Sequence, residues 1–304
     1  MHWSIGDIRI TAIVEQEMAG FEVIMPAATP QLVASKDWLS PHFVDENGSL
    51  KGAVQAFVIE AGGKLIVVDT CVGNDKNRVA MASWNQQQVP FLQRMREAGF
   101  DPAKIDITVC THMHVDHVGW NTFLEDGQWK PTFPNARYLF ARPEFDFWHE
   151  QMQAPALSLA EASNETELFA AAGDADTRAA HADSVQPLVD AGLVDLVETT
   201  HKICAGVRLI PSHGHTPGHV SIEIVDGDAK ALITGDAIHH PVQIAFPDIR
   251  THVDVDPDAA EATRQAMLSE AEAADLLLIG THFAAPTAGR IRKDGGGWRL
   301  VSDC

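Results

Sequence analysis

The sequence predicts an α+β protein: two sheets with helices on their outer sides. Three observations carry this. Short apolar runs and helical patterns alternate in both halves of the chain. Several of the apolar runs end in histidine or aspartate. No short-period repeat or low-complexity linker separates the halves, so residues 1–304 read as one unit.

The elements follow in order. IRITAIVEQ (8–16) is a partly alternating strand. AVQAFVIEAGGKLIVVDT (53–70) is two strands joined at Gly62-Gly63, a hairpin signal. VPFLQRMREAGFDPAKI (89–105) has helical spacing, with Gly99 as its stop and Pro102 beyond it. IDITVCTH (105–112) and ARYLFAR (136–142) are strands. Residues 143–195 are rich in Ala, Glu and Asp, with helical spacing as in SVQPLVDAGLVDLV. They read as a helical insertion that walls a pocket. Strands resume at VRLIPSHGH (207–215), HVSIEIVDG (219–227) and KALITGDAI (230–238). A helix over 257–274 opens on Asp256-Pro257, a cap and a first-turn proline. ADLLLIGTHF (274–283) is a further buried strand.

The chain has 304 residues, 45% hydrophobic and 21% charged, enough to bury a large core without staples. Its formal net charge of −20 disfavours nucleic-acid and anionic-membrane partners. Cys71, Cys110, Cys204 and Cys304 form no CxxC pair, a usage that suits a reducing compartment. MHWSIGDIRITAIVEQ lacks the basic and apolar regions of a secretory signal, and no apolar run approaches the roughly 20 residues of a membrane span. A cytoplasmic location is the expectation.

THMHVDHVG (111–119) concentrates the chemistry. In extended chain, residues i and i+2 point the same way, so His112 and His114 can share a metal. Asp116 and His117 are adjacent and cannot do so from a strand; a turn into helix lets them face a second position. Imidazole and carboxylate suit zinc, and also manganese, iron or cobalt. Isolated strand-end histidines are usually structural. Four metal-capable residues together are not, because burying them without a shared partner is costly. His215, Asp236 and His282 close later strands, where a rigid sheet positions a side chain and a loop exposes it.

VVDT (67–70), THMHVDHVG, GHTPGH (214–219), TGD (234–236) and GTH (280–282) together resemble the metallo-β-lactamase-fold hydrolases, in family order and over nearly the whole chain. The resemblance implies a four-layer αββα sandwich with metals at one edge of the paired sheets. It implies that His112, His114 and His215 hold one divalent cation, and Asp116, His117 and His282 a second. Asp236 would bridge both, with Asp69 supporting the ligand loop. His219 matches a structural turn histidine. His213 reads as a supporting residue and His240 as a loop residue. His239 occupies a place where lactonase-like relatives carry a substrate-contacting tyrosine, and is a candidate substrate contact. Asp116 is also a candidate proton carrier. Val115 would point toward the pocket mouth; Trp120 and Phe123 either line the pocket or pack in the core.

Two such cations, most often zinc, activate water for attack on a carbonyl carbon or a phosphoryl centre. No GxSxG elbow competes with this reading. The short tail after His282 argues against glyoxalase-type thioesterases, and the net charge against nucleases. His114 stands where diiron flavin-linked reductases carry an acid. Secreted β-lactamases lack the aspartate that Asp236 supplies. The lactonase and organophosphate-hydrolase branch remains, with an ester, lactone or phosphotriester as small-molecule substrate and an acyl-homoserine lactone as one example. Two other readings stay open: a mononuclear iron persulfide dioxygenase and a non-catalytic, metal-stabilised binding protein. The N-terminal extension (about 1–50), with Trp38, Pro41 and Phe43, would cover the site or present apolar surface for a homodimer.

Overall fold

The computed structural model describes residues 1–302; Cys304 lies outside the described residues. The chain opens with β1 (His2–Ile5), β2 (Ile8–Ala19), β3 (Lys51–Ala61) and β4 (Lys64–Val68). Gly62 and Gly63 have φ of 58° and 73° and turn β3 into β4. A tight hairpin whose twist matches its strands needs two such values in succession, and glycine reaches them without a Cβ clash. Next come β5 (Ile107–Val109), a small hairpin of β6 (Thr122–Glu125) and β7 (Gln128–Pro131), then β8 (Arg137–Ala141) and β9 (Val194–Val197). The first sheet has the order β1-β2-β3-β4-β5-β8-β9, parallel from β4 onward.

The second sheet runs in chain order: β10 (Lys202–Cys204), β11 (Val207–Pro211), β12 (Val220–Asp226), β13 (Ala229–Ile233), β14 (Leu277–Ile279), β15 (Ala288–Asp294) and β16 (Gly297–Val301). Only β13 and β14 are parallel within it.

Helices α1 (Pro30–Ala34), α2 (Phe91–Glu97), α3 (Val115–Val118), α4 (Arg142–Gln153), α5 (Glu165–Ala180), α6 (Gln186–Asp190), α7 (Val242–Ala245) and α8 (Pro257–Ala273) complete the chain. The cap on α8 is as expected: the Asp256 side chain accepts from Ala259 N at 3.0 Å, with Pro257 in the first turn.

The period-2 pattern of the strands makes the layers. On β3, Phe57 and Ile59 pack inward with Leu209 and Ile222 of the second sheet, while Ala56 and Val58 pack outward with Phe91 and Met95 of α2. On the second sheet, Ile233 and Ile279 point inward, and Leu232 and Leu278 outward against Leu268 and Ala271 of α8. Helix, sheet, sheet and helix stack as the four-layer αββα sandwich.

Two expectations need correction. The helical reading of SVQPLVDAGLVDLV holds to Asp190 and fails beyond it. Gly192, at φ 68°, ends the helical stretch, and VDLV becomes β9, paired parallel with β8. That pairing is non-local, and the local spacing carries no trace of it. Nor do the first 50 residues expose most of the apolar surface expected of them, because they are built into the fold. β1 and β2 form one edge of the first sheet, and Phe21, Met25, Leu39 and Phe43 are buried against Phe283 and the second sheet's outer cluster. Val23 is exposed, but among the described residues the exposed apolar side chains gather elsewhere, at Val79, Leu159, Leu168 and Phe169. Among the described residues no helix is long and apolar enough to cross a membrane.

Candidate metal centre

Four strands deliver the chemistry to one edge. Beyond β5 the chain bends at Thr111 and His112 and reaches His114, which precedes α3 with φ −68° and ψ 162°. The turn into α3 then brings His117 in beside His112, with ring centroids 4.0 Å apart, while its Nε2 faces Asp236 Oδ1 and His282. His215 follows β11, Asp236 lies in a 3-10 turn (Gly235–Ala237) after β13, and His282 follows β14.

The seven side chains expected to bind metal converge as two groups. Donor atoms of His112, His114, His215 and Asp236 lie within 4.8 Å of one another, as do those of Asp116, His117 and His282. In the first group, His215 Nε2 is 3.1 Å from His112 Nε2 and 2.9 Å from His114 Nδ1. Asp236 stands between the groups. Its Oδ2 is 3.7 Å from His112 Nε2 and 3.5 Å from His215 Nε2; its Oδ1 is 3.3 Å from His117 Nε2 and 3.2 Å from His282 Nε2.

Three of the five rings have a hydrogen-bond partner outside the cluster at Nδ1. His112 Nδ1 meets Thr111 Oγ1 at 3.1 Å, His215 Nδ1 meets Asp254 Oδ1 at 2.9 Å, and His282 Nδ1 meets the Ala53 carbonyl at 2.9 Å. His117 Nδ1 lies 3.0 Å from Asp69 Oδ2, close to the carboxylate but outside hydrogen-bond geometry. A partner that accepts at Nδ1 assigns the tautomer with the lone pair on Nε2, directed inward. Asp69 also takes Thr111 N at 2.7 Å, which ties β4 to the start of the motif. It holds φ 57°, a strained value for a residue with a Cβ.

Burial holds His112 and His114 well below the ordinary imidazole range, so both rings are neutral. Burial also opposes charge on His117, but Asp236, Asp69 and Asp116 outweigh it and raise that ring well above its usual range. Asp236 is the mirror case. Burial works against its carboxylate, and His117, His282, His239 and His112 nonetheless hold it well below normal.

The donor set fits divalent metal. Three imidazole nitrogens crowded around one point cannot all satisfy one another by hydrogen bonding. Asp236 Oδ1 is buried without a hydrogen-bond partner, although two imidazole nitrogens approach it. A divalent cation would accept such lone pairs together.

The remaining candidates sort by position. His239 is buried beside the first group, with Nε2 3.3 Å from Asp236 Oδ2 and neither ring nitrogen in a hydrogen bond. Asp116 is the most open carboxylate of the cluster, its side chain 14% exposed against 5% for Asp236. His219 is structural: Nδ1 meets Ser212 Oγ at 2.7 Å, and Nε2 accepts from Asp236 N at 2.9 Å. His213 is exposed and does not support the site as expected: β11 ends at Pro211, so the alternation that would put it on the side of His215 no longer holds there. His240 is a loop residue but fully buried, contacting the Phe43 carbonyl at 2.9 Å. Trp120 is core, stacked on Phe91, and Val115 and Phe123 pack against the same cluster. From the insertion, Trp148 of α4 packs edge-on to His114 at 5.4 Å.

Sequence reasoning missed Asp254, Glu144 and Glu15, three buried acids around the centre. Glu144, at the start of a helix that follows a strand, gave the only local signal.

Several solved structures share the fold over almost all of both chains. The hydrolase AbOPH matches at TM-score 0.74 and 22% identity, covering 100% of this chain and 97% of its own. AidC, described as a dizinc quorum-quenching lactonase with the product N-hexanoyl-L-homoserine, matches at 0.74 and 19%, with the same coverage. AiiA of B. thuringiensis, with N-decanoyl-L-homoserine at its active site, matches at 0.57 and 16%, covering 90% and 92%. No curated protein matches the sequence. The family model of the metallo-beta-lactamase superfamily matches residues 50–282, which include all seven converging side chains, and the chain belongs to that superfamily.

Proposed function

We propose that the protein is a dinuclear metal-dependent hydrolase of esters, lactones or phosphotriesters. The observation that carries this is Asp236, whose two carboxylate oxygens face two separate imidazole sets. His112, His114 and His215 would hold one cation, Asp116, His117 and His282 the other, and Asp236 both. Zinc is the metal of choice for such donors. When bound, a cation pair lowers the pKa of water from 15.7 to roughly 7 and polarises the electrophile's oxygen.

The chain's own residues do the rest. Asp254, Thr111 and the Ala53 carbonyl fix the ring orientations. Asp116, the most open acid, can take the proton released as water adds to the electrophile and pass it to the leaving oxygen. His239, neutral because burial lowers its pKa, presents a ring nitrogen toward the space beside Asp236 and is the proposed substrate contact. Trp148 and α4 supply an apolar wall. The N-hexanoyl- and N-decanoyl-L-homoserine in two similar structures favour a lactone over the other substrates.

The test is an ester, lactone and phosphotriester panel on metal-quantified protein, with Asp236→Ala as control. Two zinc ions per chain and turnover of at least one class are expected. A single iron per chain would point to oxygenation instead. An Asp236→Ala chain that keeps two metals and full turnover would sink the bridging assignment.

A further inference from the structure

Two buried carboxylates flank the centre without facing it. Glu144, in the first turn of α4, is 1% exposed and accepts four hydrogen bonds. Oε1 takes Met113 N at 3.0 Å and Trp148 Nε1 at 2.7 Å; Oε2 takes Thr216 Oγ1 at 2.7 Å and Gly218 N at 3.0 Å. Met113 sits between His112 and His114, and Thr216 follows His215. One carboxylate therefore ties together the two loops that carry all three imidazoles of the first group. The fit is close: a Cβ on Gly218 would lie 2.1 Å from Glu144 N.

Glu15 is also 1% exposed and sits where the β2–β3 register shifts. It accepts from Val72 N and Gly73 N, both at 3.0 Å, and from Trp120 Nε1 at 2.6 Å. Val72 and Gly73 follow the Asp69 turn, and Trp120 follows α3. These two segments are also laced by Thr70 N to the His117 carbonyl at 2.8 Å and Gly119 N to the Cys71 carbonyl at 2.7 Å. Glu15 thus holds the stretch that carries Asp116 and His117, and makes no bond to the loops of the first group.

We propose that Glu144 and Glu15 are positioning residues that brace the two halves of the centre independently, Glu144 for His112, His114 and His215, and Glu15 for Asp116 and His117. This rests on the dinuclear reading. A buried carboxylate is the only side chain that accepts three or four such bonds at once. Replacing it with an amide leaves donors opposed to an NH2 group, and the loops lose their common anchor.

The test is zinc affinity, by chelator competition, in two backgrounds. His282→Ala isolates the first group and His114→Ala the second. Glu144→Gln is expected to weaken zinc by about 10–100-fold in the His282→Ala chain, the scale seen for groups that support metal ligands, and to leave the His114→Ala chain unchanged. Glu15→Gln is expected to do the reverse. Thr216→Val and Trp120→Phe, which delete one donor each, are expected to give smaller losses with the same selectivity, and they keep the test open if a glutamine variant does not fold. Equal losses in both backgrounds, no loss in either, or release of both ions by one background variant overturns the proposal. A wild-type chain that binds fewer than two zinc ions overturns the dinuclear reading and the bracing with it.

Discussion

Oδ1 of Asp236 lies 3.2 Å from Nε2 of His282, joining the turn after β13 to the loop after β14 across the parallel pair of the second sheet. The other oxygen of the same carboxylate faces His215 and His112. Asp236→Asn keeps the shape and removes the charge. It is expected to lower bound zinc from two ions per chain toward one and to cut hydrolysis by at least ~100-fold, the scale of deleting a preorganised electrostatic group. Elemental analysis and the substrate panel check this; an unchanged metal count would place the bridge elsewhere.

Asp254 acts one bond further out. Burial opposes its charge, yet the hydrogen bond to His215, with the His239 ring close by, outweighs that and brings its pKa down to about 2. Asp254→Asn is expected to weaken zinc about 10–100-fold with little change in fold, because His215 loses its oriented acceptor. Chelator competition measures the affinity and circular dichroism the fold. Wild-type affinity in the variant would show that His215 needs no such support.

Metal removal should also be visible in stability. Ions that bind only the native state add about 2.7 kcal/mol per site at a hundredfold excess over Kd. Chelation is therefore expected to lower Tm by several degrees, and zinc to restore it. A thermal scan with and without chelator decides the matter; identical transitions would mean that the protein as prepared holds no metal.

Lys76 allows a pH test away from the centre. It is fully buried, 3.3 Å from Asp183 Oδ1 and 3.6 Å from the Trp129 ring centroid. Burial brings its pKa from 10.5 to about 8, although Asp183 pulls the other way. Between these values the unfolded chain binds more protons than the native one, so this group makes stability rise with pH across that window. Measured against Lys76→Met, which cancels the other titrating groups, the wild type is expected to gain up to about 3 kcal/mol between pH 8 and pH 10.5. Urea unfolding of both chains at several pH values checks it, and a pH-independent difference would contradict it.

The N-terminal segment carries a packing prediction. The Phe21 ring lies 5.8 Å from the His282 ring and over Gly52, where a Cβ would meet it at 2.4 Å. Phe21→Ala is expected to cost about 3 kcal/mol, the low end for a buried phenylalanine. Denaturant unfolding reads this directly, and a cost near zero would show the segment to be loosely attached.

Much of this protein was legible from local pattern. The hairpin at Gly62-Gly63, the cap at Asp256, the strands that end a few residues before His112, His215, Asp236 and His282, and the helical turn that opens after His114 are short-range effects of turn chemistry and periodicity. The i, i+2 spacing alone paired His112 with His114; the full set of seven residues and its division between two positions came from the resemblance to the metallo-β-lactamase-fold hydrolases. Tertiary structure alone decided the rest. VDLV became β9 through its pairing with β8, and Trp120 went to the core because Phe91 and Glu15 await it there. His240 was buried by the N-terminal segment. Asp254, Glu144 and Glu15 reach the centre from distant parts of the chain, as contacts between layers that no local spacing encodes.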